Sequence, residues 1–396
     1  MPSVAIVAGE ASGDVSGGAL ARELRRLQPD ISIWGAGGPA MRSSGVELVA
    51  DFSWAGAIGI IESLKLAPRL LFELANLKKE FVRRRPDVFI PIDFGAFNVK
   101  LGSFARIQGI PSIYYFPPGS WRRKPRDYSK LSAASDRIIT PFPWSETILR
   151  EAGIDATFLG HPLLDHVSPG LTRSEFAGRL NGISEPSQVG RIVGLLPGSR
   201  SHEIHHILPV MLDACSIILK QVSSADTFVV AAGSDRAYRE IDKVIKHWRS
   251  QAGENNIVQK IIVVRGLTYD VMAHSDLLLT CSGTATLEAM ILGTPMIIVY
   301  RGSKWMKVEY LLRKGILEDF IGMPNIVAGR EVCPELLGDQ ASPEAIAKLA
   351  VKWLERQEEL QKVRQELNSV RAVLGEPGGT ARAAQMVLRT MGLSRT

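Results

Sequence analysis

Short apolar runs alternate with amphipathic stretches over most of the chain. In the first half, Val4–Ala8, Ile31–Gly35, Val88–Ile92, Ser112–Phe116, Arg137–Thr140 and Thr157–Leu159 read as strands. Between them, Gly17–Leu27, Lys65–Arg84, Lys100–Gln108 and Ser145–Ala152 read as helices. This alternation predicts parallel strands joined by crossover helices, which is an α/β doubly wound domain. From Pro169 to Val189 the chain turns to Gly, Ser and Pro and loses any continuous apolar period, as a domain boundary does.

The pattern then restarts. Ile192–Leu196, Thr227–Ala231, Lys260–Val264, Leu277–Thr280 and Met296–Val299 are the expected strands, with helices at Leu208–Gln221, Tyr238–Arg249 and Ala285–Leu292. A long helix is expected from Pro343 to about Leu374, then a Gly- and Pro-rich break from Gly375 to Gly379, then a helix over Thr380–Met391. The expected organisation is two doubly wound, Rossmann-like domains. One spans 1–168 and is joined by the C-terminal helix, about 380–391; the other spans 190–374. Two such domains facing each other create a cleft at the carboxyl ends of both sheets, where ligands usually bind.

Length and composition fit this picture. A chain of 396 residues is long for one core, and 45% hydrophobic with 22% charged residues is ordinary for a globular protein. The net charge of +6 favours anionic partners (nucleic acid, phosphate-bearing substrates or an acidic membrane surface) without choosing among them. Cys215, Cys281 and Cys333 are sparse and unpaired in spacing, as expected in a reducing compartment, and offer no metal-ligand pattern. Neither a signal peptide nor an apolar run of about 18 residues is visible, so a cytoplasmic protein with at most peripheral membrane contact is expected.

Four segments carry the candidate chemistry, each at the end of a strand. Gly9-Glu10-Ala11-Ser12-Gly13-Asp14 opens the first helix; its glycines allow a tight turn and its helix N-terminus can meet an anion, with a plain capped turn as the alternative. Asp93, in Pro91-Ile92-Asp93-Phe94-Gly95-Ala96-Phe97-Asn98, is placed to take a proton from a hydroxyl or, alternatively, to cap the next helix. In Leu196-Pro197-Gly198-Ser199-Arg200, Ser199 and Arg200 suit phosphate oxygens, or form a surface turn. In Cys281-Ser282-Gly283-Thr284-Ala285-Thr286-Leu287-Glu288, Ser282, Gly283 and Thr284 can present donors to a diphosphate, and Glu288 one turn on can hold ribose hydroxyls. A capping box from Thr284 is the competing account.

Other features are less specific. His161, in Gly160-His161-Pro162-Leu163, reads as a structural anchor, and His202, His205 and His206 as a solvated helical face. Trp121-Arg122-Arg123-Lys124-Pro125-Arg126, Lys304-Trp305-Met306-Lys307 and Leu311-Leu312-Arg313-Lys314 mix basic with apolar groups, as a bilayer surface favours, or else are solubilising charge. Ala55-Gly56-Ala57-Ile58-Gly59-Ile60-Ile61-Glu62 suits acyl chains or a buried helix equally.

The four strand-end segments and Gly160-His161-Pro162-Leu163, together with Gly59-Ile60-Ile61-Glu62, Tyr300-Arg301 and Pro324-Asn325-Ile326-Val327-Ala328-Gly329-Arg330, occur in an order that resembles the lipid-A-disaccharide synthase family, from residue 4 to about 340. The resemblance implies an inverting glycosyltransferase of GT-B type with no required metal or other cofactor. The donor it implies is UDP-2,3-diacylglucosamine and the acceptor 2,3-diacylglucosamine 1-phosphate; the products are a β(1→6)-linked disaccharide 1-phosphate and UDP. It assigns the first domain to the acceptor and lipid, and the second to the UDP-sugar. Asp93 matches the family's important aspartate and becomes the candidate base. Ser199, Arg200, Ser282, Gly283, Thr284, Glu288 and Asn325 match the UDP-sugar side, while Glu10, Ser12, Arg301 and Arg313 are candidate phosphate or acceptor contacts. The inner-membrane surface and a second copy of the chain are the expected macromolecular partners, and nucleic acid is not.

Two departures fall on the acceptor side. Gly95 and Ala96 stand where the family usually has Pro-Asp. Pro117-Pro118-Gly119-Ser120-Trp121-Arg122-Arg123-Lys124 replaces a usual Ser-Pro-Ser-x-Trp-Ala-Trp-Arg. A related enzyme with another acceptor, a UDP-sugar epimerase and a catalytically silent sugar-nucleotide or lipid binder therefore remain as alternatives.

Overall fold

The computed structural model describes residues 1–54, 60–124, 126–181, 190–222, 227–252, 257, 260–301 and 319–393. Ala55 to Gly59, Pro125, the two basic and apolar patches at 304–307 and 311–314, and with them Arg313, lie outside the described residues. The chain divides into two compact units. Unit 1 comprises Met1–Asp165 and Leu374–Thr396; unit 2 is His166–Val373.

Unit 1 holds a parallel sheet of β1 (Ser3–Ala8), β2 (Ser32–Gly37), β3 (Glu47–Asp51), β4 (Val88–Ile92), β5 (Ile113–Tyr115), β6 (Arg137–Thr140) and β7 (Ala156–Phe158). Their spatial order is β3-β2-β1-β4-β5-β6-β7. The helices are α1 (Ala11–Leu27), α2 (Pro39–Ser43), α3 (Ile60–Arg84), α4 (Gly95–Ile107), α5 (Ser129–Ala134) and α6 (Pro143–Glu151). Val4, Ala5, Ile6, Val7 and Ala8 are all buried, since a central parallel strand is covered on both faces and reads as a continuous apolar run. Burial of each larger side chain stabilises by roughly 1.5–3 kcal/mol. The strand β3 went unpredicted because Glu47-Leu48-Val49-Ala50-Asp51 lies at the sheet edge, half covered and partly polar.

Unit 2 repeats the plan with β8 (Ile192–Leu196), β9 (Thr227–Ala232), β10 (Ile261–Arg265), β11 (Leu277–Cys281), β12 (Met296–Tyr300) and β13 (Glu335–Leu337), ordered β10-β9-β8-β11-β12-β13. Its first described helices are α7 (Arg173–Asn181), α8 (Ser201–Gln221), α9 (Asp235–Ala252), α10 (Thr268–His274) and α11 (Thr284–Ile291). They are followed by α12 (Met323–Ala328), α13 (Pro343–Glu355) and α14 (Gln357–Arg371). The expected boundary segment thus contains a helix: α7 buries Phe176 and packs against α10, and Leu171 N–H donates to Asp270 Oδ1 at 2.7 Å. Three apolar positions in nine residues were too few to register as a period.

The single long helix expected from Pro343 is instead two, broken at Arg356 (φ −107°, ψ 82°). Helix α13 packs on α8, whereas α14 packs on α11 and α12, and one straight rod cannot serve both. The last helix, α15 (Gly379–Thr390), places Ala383, Ala384, Val387 and Leu388 in the unit 1 core beside Leu20 and Leu24. Asp165 caps its start, accepting N–H bonds from Gly378 and Thr380, and His161 N–H donates to Leu374 O at 2.9 Å.

In each sheet the strand order reverses once, between β1 and β4 in unit 1 and between β8 and β11 in unit 2. The loops leaving the carboxyl ends of such a pair part to opposite faces and open a crevice, the usual ligand position in this architecture.

Candidate active site

All four candidate segments follow strands at these switch points. In unit 1, the Gly9–Asp14 turn leaves β1 and Asp93 leaves β4, paired through Ala8 and Ile92. Glu10 and Ser12 are exposed at the start of α1. Asp14 faces inward instead: Oδ1 accepts from Gly38 N at 2.7 Å and Met41 N at 3.1 Å, and Oδ2 from Ala40 N at 2.8 Å, which fixes α2. Asp93 is half-buried, and burial together with the Glu10 charge pushes its carboxyl up to about 6. That places a carboxylate in the range suited to general base catalysis near neutral pH. Phe94 holds the N-cap position of α4 with no side-chain capping bond, while the Asp93 carboxylate, one residue earlier, accepts from the backbone N–H groups of Phe94 and Gly95 and so also serves the start of that helix.

In unit 2, Pro197–Arg200 leaves β8 and Ser282–Thr284 leaves β11, paired through Leu196 and Thr280. Gly198 has φ 105°, and a Cβ there would meet Glu203 Oε2 at 2.5 Å, so only glycine fits the turn. The Glu203 carboxylate accepts from the N–H groups of Ser199 and Arg200, both at 3.2 Å, and its other oxygen lies 3.5 Å from Arg200 Nη1. Arg200 is thereby held at the mouth of the turn with its side chain 42% exposed.

The junction between β11 and α11 is more elaborate. Gly283 (φ 143°) caps α11 with no side-chain capping bond, so the capping-box account fails: Thr284 is exposed and lies inside the helix. Ser282 Oγ donates to Ile321 O at 2.7 Å, and Thr286 Oγ1 donates to Gly283 O at 2.8 Å while accepting from Met323 N at 3.0 Å. These bonds stitch the segment before α12 against the junction and leave Gly283 and Thr284 outward at a helix N-terminus, where first-turn N–H groups and the helix dipole favour an anion. Glu288 accepts from the Tyr269 hydroxyl at 3.1 Å, and burial raises its carboxyl above the ordinary range.

The chain matches the lipid-A-disaccharide synthetase family over residues 4–389. It is 36% identical over 393 residues to the lipid-A-disaccharide synthase of Geobacter metallireducens, covering 99% of this chain and 98% of that protein. The enzyme of the same name from Syntrophus aciditrophicus is also 36% identical, over 386 residues and 97% of each chain. The chain belongs to the lipid-A-disaccharide synthetase family. A crystal structure of UDP-GlcNAc 2-epimerase from Neisseria meningitidis bound to UDP-GlcNAc has the same fold, with a TM-score of 0.59, 13% identity, and coverage of 98% of this chain and 100% of that one. At that identity the likeness concerns the fold alone. The family makes the chain a glycosyltransferase of GT-B type and favours that reading over the epimerase and the silent binder.

The remaining candidates do not directly follow the switch-point strands. Asn325, expected on the UDP-sugar side, is fully buried. Its Nδ2 donates to Cys333 O at 2.7 Å and Glu335 Oε1 at 2.8 Å, while Oδ1 accepts from Val332 N and Cys333 N at 2.7 and 2.9 Å. A carboxamide so occupied shapes the 321–335 segment from within. Arg301 is exposed just past β12. His161 stacks on Phe116 and meets Phe142 at a tilt; burial lowers its imidazole to about 3, and Nδ1 accepts from Leu163 N at 3.2 Å. Arg123 lies over the Trp144 ring at 4.2 Å, so the basic turn at 121–124 packs on the start of α6. His205 and His206 bond back to Ser201 O and His202 O along their own helix. Among the described residues no helix is long and apolar enough to cross a membrane.

Sequence reasoning missed Glu203, Tyr269, Thr286, Tyr114 and Asn98. Glu203 carried a signal, an acid three residues after Arg200 at a helix start. Tyr269 and Tyr114 carried none, because each reaches its partner from a distant strand or helix.

Proposed function

We propose that this glycosyltransferase moves 2,3-diacylglucosamine from UDP to the 6-hydroxyl of 2,3-diacylglucosamine 1-phosphate, forming a β(1→6)-linked disaccharide 1-phosphate and UDP. The observation that carries the reading is the meeting of the family's segments at the two switch points: Asp93 with Glu10 in unit 1, and Arg200 and Gly283–Thr284 in unit 2. Unit 1 takes the lipid acceptor and unit 2 the nucleotide.

The acceptor oxygen attacks the anomeric carbon from the side opposite UDP, and inversion follows. Asp93 takes the hydroxyl proton as the new bond forms. The negative charge that moves onto the leaving diphosphate meets the α11 N-terminus at Gly283 and Thr284, with the Arg200 guanidinium beside the neighbouring turn. Glu288 accepts from the ribose hydroxyls. The enzyme works at the inner-membrane surface on its cytoplasmic side; Leu71 and Phe72 of α3, 59% and 64% exposed, support an apolar contact there.

The test is a mass-spectrometric assay with purified protein and defined acylated donor and acceptor. Equal amounts of UDP and of the disaccharide 1-phosphate are expected. UDP released without the disaccharide mass would sink the acceptor assignment, and no UDP at all would sink the reaction.

A further inference from the structure

Asp93 and Phe94 both adopt left-handed backbone angles, φ 43° and 60°, and Gly95 continues at 48°. For residues other than glycine such a conformation costs of order 1–3 kcal/mol each and persists only where the surroundings hold it. The holding groups are identifiable. The Asp93 carbonyl oxygen accepts from the Tyr114 hydroxyl at 2.8 Å and from Asn98 Nδ2 at 3.1 Å. Asp93 N–H donates to Tyr115 O at 3.3 Å.

Asn98 Nδ2 also lies 3.0 Å from Ile92 O and 2.9 Å from Val7 O, so one amide group ties the ends of β1 and β4 to the turn. Both Tyr114 and Asn98 are fully buried. Asn98 Oδ1 has no hydrogen-bond partner, although a buried acceptor left so costs about 1–3 kcal/mol. Its donor end alone gathers three carbonyls at the Asp93 turn.

We propose that Tyr114 is a positioning residue for glycosyl transfer: its hydroxyl, with the Asn98 amide, clamps the left-handed turn that aims the Asp93 carboxylate. The clamp acts through the backbone, so it sets direction without touching the carboxylate itself. It rests on Asp93 being the base.

Tyr114→Phe removes the hydroxyl and little volume. Without it the Asp93 carbonyl keeps only the shared Asn98 bond, and the turn can relax toward ordinary negative φ. A displacement near 1 Å at a reacting group costs on the order of 10²-fold in rate. The expected result is a kcat lower by about 10- to 100-fold, with KM for donor and acceptor within about twofold of the parent. A kcat equal to the parent's, or a raised KM at unchanged kcat, would overturn the clamp. Asp93→Asn is assayed alongside. If it keeps full kcat, the base assignment falls whatever Tyr114→Phe does; if it loses kcat while Tyr114→Phe does not, only the clamp falls. Should Tyr114→Phe not accumulate as folded protein, Asn98→Ser reads the same clamp from its other side, with the same kcat loss expected and an unchanged kcat overturning it.

Discussion

The ring of Phe94 lies against Gly9, so closely that a Cβ on the glycine would sit 2.0 Å from Cδ2 of the ring. Two segments 85 positions apart, one opening α1 and one following β4, are thereby a single packed unit. Gly9→Ala cannot be accommodated without moving Phe94, and Phe94 is bonded directly to Asp93. A kcat loss of about 10²-fold is expected, with UDP affinity unchanged because the proposed nucleotide turns belong to unit 2. Steady-state kinetics and UDP calorimetry on the variant check this; normal turnover would separate the Gly9 turn from the chemistry.

Asp93 also bears on stability. Its carboxyl is raised from the ordinary 3.8 to about 6, chiefly by burial and then by Glu10. A carboxyl that holds its proton more tightly in the folded chain stabilises fully below pH 4, and that contribution is lost as pH rises through about 6. Asp93→Asn should therefore be more stable than the parent at pH 8 by about 1–2 kcal/mol after allowing for solvent screening, with most of the difference gone at pH 4. Urea unfolding at the two pH values measures it.

The same carboxyl sets the acid side of the rate profile. A base must be ionised to take a proton, so kcat/KM should fall tenfold per pH unit below about pH 5, with its midpoint near 6. A profile flat to pH 5 would place the proton elsewhere.

In unit 2, Tyr269→Phe should weaken UDP binding about fivefold, or roughly 1 kcal/mol, less than the ~1.5–3 kcal/mol of a hydrogen bond to a charged group because Tyr269 acts on the nucleotide only through Glu288. The hydroxyl both orients Glu288 and opposes the effect of burial on its carboxyl. Calorimetry at pH 7.5 decides, and an unchanged Kd would remove Glu288 from the nucleotide contact.

Asn325→Ala addresses a different role. It strands the backbone N–H groups of Val332 and Cys333, each costing about 1–3 kcal/mol when left without a partner, while the Glu335 carboxylate keeps its bonds from Ile321 and Gly322 N–H. A lower unfolding temperature is expected, with weaker UDP binding only as far as the 321–335 segment loosens. Full stability with lost binding would instead make Asn325 a direct contact.

The sheets were legible because central parallel strands are apolar throughout: Val4–Ala8, Val88–Ile92, Ile192–Leu196 and Leu277–Cys281 announce themselves. The edge strands Glu47–Asp51 and Glu335–Leu337 did not, since half-covered strands keep polar residues. The switch-point turns were visible as glycine and polar clusters directly after those central runs. Their supporting groups were not. Nothing local to Tyr114 says that its hydroxyl reaches Asp93 O, and nothing local to Thr286 says that it receives Met323 N–H. Such partners are chosen by the packed fold, after the pattern that predicts the fold has been spent.

The cap that Asp165 places on α15 has a consequence for how the protein is made. The residues that complete the unit 1 core, Ala383, Ala384, Val387 and Leu388, leave the ribosome only after the whole of His166–Val373. The portion synthesised first must wait with an open apolar flank while the portion synthesised second can already close its own. Released chains truncated at residue 375 should thus carry a protease-resistant second unit beside a first unit still vulnerable to cleavage and in need of a chaperone's cover.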